Sequence, residues 1–318
     1  MHSYIKLDRI EEIQLIVSDL LCEFERLCKS ANISYSLGGG TLLGAIRHQG
    51  FIPWDDDIDV FMLREDYERF VKTYIGAQLS NPNYQIVDGN NGASGIAFAR
   101  LIDCRTRVVC KKTTAIQNLW IDIFPLDTIP TALAEQNEFE FQMRRLRKIR
   151  LFFNAPPMTG KTKFKRIIKT PFTIMGRCLG IQKKICRKIT VEAQKYNNET
   201  DTKEVAEIVA QGWIKGTCCK ATFKNSVQVP FGDRTFSAMP DYNHYLTGQY
   251  GDYWELPPEE ARKAHKIDVE IAFDQYDAQM QQKLLYYIQR RDIENENMHK
   301  LRLLQNEVEK QEKIGLYQ

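Results

Sequence analysis

The spacing of hydrophobic residues along the chain predicts helices mixed with short strands. Apolar side chains recur at helical intervals over residues 8–30, where Asp8 and Glu11 have the spacing of a capping box. Further helices are predicted at 41–48 and 64–76, whereas apolar and polar residues alternate as in a strand over 57–62. More strand patterns occupy residues 84–88, 95–103, 107–111 and 119–127. This mixture predicts an α+β (mixed α/β) fold rather than a helical bundle.

Changes of composition divide the chain into four predicted segments. Residues 1–134 form the first mixed segment, and residues 135–200 form a basic helical insertion. Residues 201–270 return to mixed structure, with a stretch rich in aromatic residues. Residues 271–318 form a C-terminal helical tail. The two mixed segments are expected to build one domain around the insertion.

Charge is distributed unevenly although the chain is nearly neutral overall. Its 318 residues contain 44 Lys and Arg against 41 Asp and Glu, a net charge of +3. Residues 144–188, the basic segment, hold 15 basic residues and no acidic residue. The rest of the chain is therefore strongly acidic, and any account of binding partners must explain the basic segment.

Composition also restricts the cellular setting. The eight cysteines contain no C-x-x-C pair and show no zinc-type spacing with histidine. The first residues lack the apolar region of a secretory signal, and no run of 18 apolar residues could span a bilayer. We therefore expect a cytoplasmic protein with reduced thiols.

Carboxylates beside one predicted strand are the strongest chemical signal. Asp57 and Asp59 are two residues apart, so a strand would place them on one face, where they need a cation. A third carboxylate, Asp122, interrupts an apolar strand pattern. Mg²⁺ in proteins takes one or two carboxylates together with substrate phosphates. The alternative is a solvated, Asp-rich turn.

A glycine run precedes these carboxylates. Gly38, Gly39 and Gly40 lie directly before the predicted helix at 41–48. Backbone N–H groups converge at such a turn and can bind phosphate oxygens, although the alternative is a simple flexible turn. A glycine turn, a D-x-D pair on a strand and a third strand carboxylate together resemble the nucleotidyltransferase superfamily.

A closer resemblance lies in the run LGGGTLLGAIRHQGFIPWDDDIDVFM, which is similar to the signature of the LicD family of phosphocholine transferases. RLIDCRTRV followed by LWIDIFPLD, and DYNHYLTGQYGDYWELPPEEARKAHK, also fit that family. The resemblance covers residues 33–128 and 229–266. It implies a nucleotidyltransferase-like mixed sheet flanked by helices, with residues 1–134 and 201–270 as the catalytic domain.

The same resemblance implies an activity and its residues. The expected reaction is metal-dependent transfer of phosphocholine, or another phospho-alcohol, from CDP-choline or another CDP-alcohol to a lipopolysaccharide or teichoic acid precursor. Mg²⁺ or Mn²⁺ would be the cofactor. The carboxylates assigned to metal binding and catalysis are Asp57, Asp59 and Asp122. The turn residues assigned to phosphate binding are Gly39, Gly40 and Thr41.

Basic residues near these motifs are candidates to bind phosphate oxygens, since guanidinium groups offer paired donors. They are Arg47, Arg100, Arg105, Arg262 and His265. Surface ion pairs are the alternative for Arg47, Arg100 and Arg105, and His48 is expected to be a non-catalytic histidine. Arg100 stands where many LicD relatives carry Lys, and FGDR at 231–234 lacks an expected acidic residue before its glycine. Both departures leave the substrate open.

An aromatic cluster is the candidate choline site. Aromatic cages recognise quaternary ammonium groups through cation–π attraction. The residues expected to form the cage are Trp54, Tyr250, Tyr253 and Trp254. Core packing is the alternative.

The basic segment interleaves its charges with Phe and Ile, as an interfacial helix requires. We expect residues 144–188 to bind an anionic membrane surface at the inner face of the plasma membrane, where a lipid-linked acceptor glycan would be found. Packing on the acidic body is the alternative. No nucleic-acid partner is expected, because no recognition module is visible.

Other functions remain open at this point. A glycosyltransferase could use D-x-D to hold a metal and a nucleotide sugar, and a nucleotidyltransferase could release pyrophosphate. A basic membrane or RNA adaptor would not depend on the Asp residues at all.

Overall fold

The computed structural model describes residues 4–89, 95–109, 116–155, 163–199, 203–262, 264 and 268–294. The helices are α1 (Ile10–Ala31), α2 (Gly39–His48), α3 (Arg64–Tyr74), α4 (Leu133–Asn154), α5 (Lys163–Cys178), α6 (Ile181–Ala193), α7 (Lys220–Phe223) and α8 (Tyr242–Tyr250). A further helix, α9, begins at residue 278 and is described to residue 294. Short 3-10 turns occupy Glu259–Ala261 and Phe273–Gln275.

Among the described residues, nine strands form one mixed sheet. They are β1 (Tyr4–Leu7), β2 (Ser36–Leu37), β3 (Asp59–Leu63), β4 (Tyr84–Val87), β5 (Ala99–Val109), β6 (Ile116–Thr128), β7 (Glu204–Glu207), β8 (Thr217–Cys219) and, counting past a separate hairpin, β11 (Asp268–Ala272). That hairpin consists of β9 (Val227–Phe231) and β10 (Arg234–Ala238). The sheet confirms the predicted α+β fold with helices beside a mixed sheet.

The order of strands brings distant parts of the chain together. The main path runs β1-β11-β5-β6-β3-β2, with β4 beside β5, β7 beside β6 and β8 beside β7. Strands β7, β8 and β11 come from the second mixed segment, so both mixed segments contribute to one sheet. Helices α4, α5 and α6 lie between these segments in the chain. The four segment boundaries themselves stay a prediction.

Helix α1 shows how the hydrophobic pattern produces the core. Its apolar positions recur at helical spacing, and Ile16, Leu20 and Phe24 are fully buried. The predicted capping residue is wrong by one position, because Glu12 rather than Glu11 accepts the N–H groups of Asp8 and Arg9. This cap orients the helix that covers the sheet.

The predicted strands at 95–103 and 107–111 are not separate in the sheet. Within the described residues, β5 is continuous, with an irregular register between Asp103 and Val108. Thr106 Oγ1 donates to the carbonyl of Asp103 at 2.8 Å and accepts the N–H of Leu119 at 2.7 Å. Through these bonds, Thr106 connects β5 to β6 within the irregular stretch. Among all described helices, none has the length and hydropathy needed to cross a bilayer.

Candidate active site

Two parallel strands bring the predicted carboxylates together. Strands β3 and β6 are paired in parallel, and their register places Asp59 opposite Asp122. The N–H of Asp122 donates to the carbonyl of Ile58 at 2.9 Å, which extends the ladder to the start of β3. Asp55 and Asp57 precede β3 directly. We call Asp55, Asp57, Asp59 and Asp122 the carboxylate cluster.

The carboxylate cluster has an unfavourable concentration of negative charge. Burial raises the pKa of Asp59 well above its ordinary value, and the charges of Asp57, Asp122 and Asp55 raise it further. Burial and like charges both disfavour ionisation, so the ionised cluster requires a cation. The site is therefore electrostatically prepared for a metal ion or another positive group.

The glycine turn brings the start of α2 against these carboxylates. Gly39 has φ +49°, and a Cβ there would collide with Oδ2 of Asp59. A Cβ on Gly40 would lie 2.6 Å from Oδ2 of Asp55. Only glycine avoids both the left-handed strain and these collisions. The glycines are thus required for the carboxylates to reach the helix N-terminus.

Two groups of the predicted phosphate site make internal hydrogen bonds. The hydroxyl of Thr41 accepts the N–H of Asp59 at 2.8 Å, so Thr41 orients that strand residue. The N–H of Gly39 donates to the hydroxyl of Tyr245 at 3.3 Å. Phosphate binding by Gly39, Gly40 and Thr41 stays a prediction.

Arg100 reaches the carboxylate cluster, and its assignment to phosphate binding stays a prediction. Register places it opposite Asp122, and its Nε donates to Oδ1 of Asp122 at 2.6 Å. Its guanidinium lies over the ring of Trp120, 4.1 Å from the centroid. Arg100 therefore orients Asp122 and brings one positive charge to the edge of the cluster.

Arg105, in contrast, does not reach the site, and its predicted role as a phosphate ligand is wrong. Its Nε and Nη2 donate to the carboxylate of Asp103 at 2.8 Å each. The guanidinium is buried and lies over the ring of Tyr276, 3.8 Å from the centroid. Because Asp103 neutralises it inside the core, Arg105 serves the structure of the sheet.

The other two described basic candidates, Arg47 and Arg262, bond carbonyl groups of the segment that follows α8. Arg47 Nη1 donates to the carbonyl of Tyr253 at 2.7 Å, and Arg262 Nε donates to the carbonyl of Pro257 at 2.8 Å. Burial lowers the pKa of Arg47, and the charge of Arg262 lowers it further. Burial and Arg47 also lower the pKa of His48, which favours a neutral imidazole. His265 lies outside the described residues.

The pKa of Tyr250 depends both on the carboxylate cluster and on Arg47. Burial around its hydroxyl raises its pKa, the charges of Asp59, Asp55 and Asp57 raise it further, and Arg47 lowers it. Its side chain is nevertheless 41% exposed, so part of the ring faces solvent. Tyr250 is therefore a partly accessible ring whose hydroxyl is affected by charges of both signs.

The remaining aromatic candidates differ in accessibility. Tyr253 is buried, and its hydroxyl donates to Oδ1 of Asn243 at 2.8 Å. Trp254 is 59% exposed and its ring centroid lies 5.4 Å from that of Tyr253. The guanidinium of Arg262 lies over Trp54, 5.3 Å from the ring centroid. Tyr250 and Trp254 thus offer the accessible rings, and the choline cage stays a prediction.

Two further residues belong to this region but carry no local sequence signal. Tyr245 is buried, and its hydroxyl accepts the N–H of Gly39 in the glycine turn. Glu207, at the end of β7, is buried, and burial raises its pKa to about 7 although the N–H groups of Ala210 and Gln211 lower it. Its charge also contributes to the raised pKa of Asp59. Both residues reach the site through long-range packing.

The cluster is suited to hold a metal with few protein ligands. Within the described residues, no three His, Cys, Asp or Glu side chains form a ready-made metal centre. Asp122 is already bonded to Arg100. Every donor in the cluster is a carboxylate oxygen, the type that hard divalent cations prefer. The arrangement thus fits a cation held by one or two carboxylates and completed by substrate oxygens.

Comparison with known proteins agrees with this geometry. A family model for the LicD/FKTN/FKRP nucleotidyltransferase domain matches residues 32–152, which include α2, β3 and β6. The chain is 34% identical over 260 residues to the lipopolysaccharide cholinephosphotransferase LicD of Haemophilus influenzae, covering 81% of this chain and 96% of that protein.

Shorter stretches of the chain are similar to uncharacterized proteins of two Rickettsia species. It is 43% identical over 60 residues to one of Rickettsia typhi, 19% of each chain. It is 46% identical over 52 residues to one of Rickettsia prowazekii, 16% of this chain and 20% of that protein. The resemblance noted from the sequence is confirmed, and the long match to the Haemophilus protein shows that this chain belongs to the LicD family of transferases.

Proposed function

We propose that this protein transfers phosphocholine from CDP-choline to lipopolysaccharide or its precursor. The observation that carries the proposal is the 34% identity to a lipopolysaccharide cholinephosphotransferase across 96% of that protein. The carboxylate cluster supports it, because a phosphoryl group shielded by its own oxygens needs charge neutralisation to be attacked. A different phospho-alcohol, or a teichoic acid acceptor, would use the same site.

Mg²⁺ or Mn²⁺ is the proposed cofactor. Asp57 and Asp59 would hold it, since burial and the neighbouring carboxylates leave Asp59 in need of a cation. Such an ion would neutralise charge on the donor diphosphate. Asp55, whose Oδ2 lies against the start of α2 at Gly40, is a further carboxylate beside the same site.

The chain's own residues are proposed to position the acceptor and accept its proton. Arg100 fixes the orientation of Asp122 through the bond to Oδ1. Asp122 would take the proton of the acceptor hydroxyl as its oxygen attacks the β-phosphorus. The bond from that phosphorus to the oxygen bridging to the α-phosphorus then breaks, and CMP leaves with the bridging oxygen.

Choline recognition is proposed for the accessible aromatic rings. Tyr250 and Trp254 are 41% and 59% exposed, and Tyr250 is close to the carboxylate cluster. A quaternary ammonium group would gain about 0.5–2 kcal/mol from each ring it contacts. The basic side chains Arg47 and Arg262 would remain for phosphate oxygens.

A donor panel tests this proposal. CDP-choline, CDP-ethanolamine, CDP-glycerol, CDP-ribitol and UDP-glucose would each be added with Mg²⁺, and the melting temperature measured. Ligand binding to the native state raises its stability, so CDP-choline should produce the largest increase. The largest increase with another CDP-alcohol would change the transferred group, and the largest increase with UDP-glucose would indicate a glycosyltransferase instead.

The basic helices support a membrane location for the reaction. Helix α5 exposes a set of large apolar side chains: Ile167, Ile168, Phe172, Ile174 and Met175. The neighbouring α6 exposes four basic side chains: Lys183, Lys184, Arg187 and Lys188. Exposed apolar and cationic side chains together are typical of interfacial helices. We propose that α5 and α6 hold the protein on the anionic inner face of the plasma membrane, beside a lipid-linked acceptor.

Vesicle sedimentation tests the membrane proposal. Each basic residue contributes about 1 kcal/mol near an anionic leaflet, so removing three should weaken binding to phosphatidylglycerol vesicles at least about tenfold at low salt. The test variant replaces with Gln three lysines of α6: Lys183, Lys184 and Lys188.

A matched control removes the same charge elsewhere. It replaces with Gln three exposed lysines outside these helices: Lys29, Lys72 and Lys224. Equal losses in the two variants would indicate nonspecific attraction by net charge, and binding unaffected by either would overturn the membrane proposal.

A further inference from the structure

Helix α4 carries a buried arginine that lacks a hydrogen-bond partner at two nitrogens. Arg150 is 7% exposed, and its Nε and Nη1 find no partner among the described residues. Two other arginines are buried among the described residues, and both are neutralised. Arg64 pairs with Asp127, and Arg105 pairs with Asp103. Because an unpaired buried charge is costly, Arg150 indicates an anion that the protein itself does not supply.

The groups around Arg150 do not neutralise it by direct bonding. Burial lowers the pKa of Arg150, and the charges of Arg147 and Arg100 act in the same direction, against Cys186 and Glu207. Glu207 is the nearby carboxyl, but its oxygens accept the N–H groups of Ala210 at 2.7 Å and Gln211 at 3.3 Å. The charges of other arginines thus act on Arg150, while the oxygens of Glu207 accept backbone N–H groups.

The neighbouring strands add another unsatisfied donor. Arg100 lies over the ring of Trp120, and the indole N–H of Trp120 is also buried without a partner among the described residues. Arg100 in turn donates to Asp122 of the carboxylate cluster. The unpaired indole N–H beside Arg100 and the two unpaired nitrogens of Arg150 are suited to the oxygens of a phosphate, which can accept several charge-assisted hydrogen bonds.

We propose that Arg150, together with Arg100, binds a phosphate group of the substrate at the edge of the carboxylate cluster. Nε and one Nη of a guanidinium can donate to two oxygens of the same phosphate. The proposal rests on the proposed function only for the identity of the substrate, since the donor diphosphate and a phosphorylated acceptor offer the same oxygens.

Calorimetric titration with inorganic pyrophosphate in EDTA tests the binding step. Without a metal, the carboxylate cluster repels pyrophosphate, so basic residues must provide the affinity. Arg150→Met should weaken binding about tenfold or more, the scale of charge-assisted hydrogen bonds. Arg145→Met removes an exposed arginine from the same helix and should bind like the wild type. Equal affinity in wild type and Arg150→Met, or no binding by the wild type, would overturn the proposal.

Thermal melting separates binding from a structural role. Without ligand, Arg150→Met should melt at the wild-type temperature or above, because it removes an unpaired buried charge. A large loss of stability would assign Arg150 to folding instead. Should that variant fail to fold, Arg150→Lys keeps the charge without the planar fork and should still bind pyrophosphate several-fold more weakly. Wild-type affinity in the Lys variant would contradict the proposal.

Steady-state kinetics identify the source of the phosphate. A higher KM of Arg150→Lys for CDP-choline alone would place the donor diphosphate at Arg150, and a higher KM for the acceptor alone would place an acceptor phosphate there. An unchanged KM for both would overturn the substrate-binding role. If pyrophosphate binding depends on Arg150 but no phosphocholine is transferred, the proposed function is rejected. Phosphate binding by Arg150 would still be supported.

Discussion

Two carboxylates on neighbouring strands of one sheet have opposite surroundings. Asp127, on β6, accepts Nε of Arg64 and Nδ2 of Asn197, each at 2.8 Å. Asp59, on β3, is instead crowded by Asp57, Asp122 and Asp55. The first carboxylate is neutralised inside the protein, and the second requires a cation from outside. The same sheet thus separates a structural ion pair from a ligand site only a few residues away.

The largest expected effect is on turnover. Asp57→Asn and Asp59→Asn should each lower kcat by about a hundredfold or more, because a metal on a phosphoryl centre supplies several kcal/mol of stabilisation. Turnover would be measured as CMP release at saturating CDP-choline and limiting Mg²⁺. Asp233→Asn removes an exposed carboxylate from the β9–β10 turn and is the control. Near-wild-type turnover in either cluster variant would reject the metal assignment.

Asp127, the neutralised carboxylate, is expected to contribute to the free energy of unfolding. Asp127→Asn should lower the free energy of unfolding by about 3–5 kcal/mol, because it leaves Arg64 buried without its charge partner. Urea denaturation at pH 7 measures this loss. The double variant Arg64→Met with Asp127→Leu removes both charges and should recover much of it. An Asp127→Asn protein as stable as the wild type would show that the pair is not stabilising.

Glu207 predicts a pH dependence of stability in the metal-free protein. Burial raises its folded pKa from 4.5 to about 7. Between these values the unfolded chain has released a proton that the folded protein still holds, so stability falls as pH rises and the cost is complete above pH 7. The expected fall is about 3 kcal/mol. Glu207→Gln should flatten this part of the profile, and an unchanged slope would contradict the assignment.

The smallest expected effect concerns the position of Asp59. Thr41→Val removes the hydroxyl that accepts the Asp59 N–H and should cost about 1 kcal/mol of stability. We expect kcat to fall several-fold with little change in KM, because Thr41 positions the carboxylate. Thr41→Ser keeps the hydroxyl and should restore both. A Ser variant as impaired as the Val variant would indicate that the methyl group, rather than the hydrogen bond, matters.

Local patterns predicted the elements that form the site. Helical periodicity identified α1, and alternation identified β3 with its adjacent Asp residues. The glycine run predicted the turn at the start of α2. The structure shows why glycine is needed there: Gly39 has a positive φ, and a side chain would collide with Asp59. These features are encoded within short stretches of sequence.

Long-range contacts could not be predicted in this way. Tyr245 bonds Gly39 from 206 positions away, and nothing near either residue indicates that contact. Distant partners also hold Arg105 away from the candidate site: its Nη2 donates to the hydroxyl of Tyr84 at 2.8 Å, and its guanidinium lies over the ring of Tyr276. The sequence singled out Asp59 through its neighbour Asp57, but the neutralisation of Asp127 could not be predicted, since its partners Arg64 and Asn197 are distant in the chain.

Identification of both products of the transfer reaction tests the account most directly. The wild-type protein would be incubated with CDP-choline, Mg²⁺ and lipopolysaccharide lacking phosphocholine, and the nucleotide and the glycan analysed by mass spectrometry. The account predicts CMP and a glycan heavier by one phosphocholine group, with neither product formed by Asp59→Asn. UDP from a sugar nucleotide, pyrophosphate from CTP, or equal transfer by Asp59→Asn would contradict it.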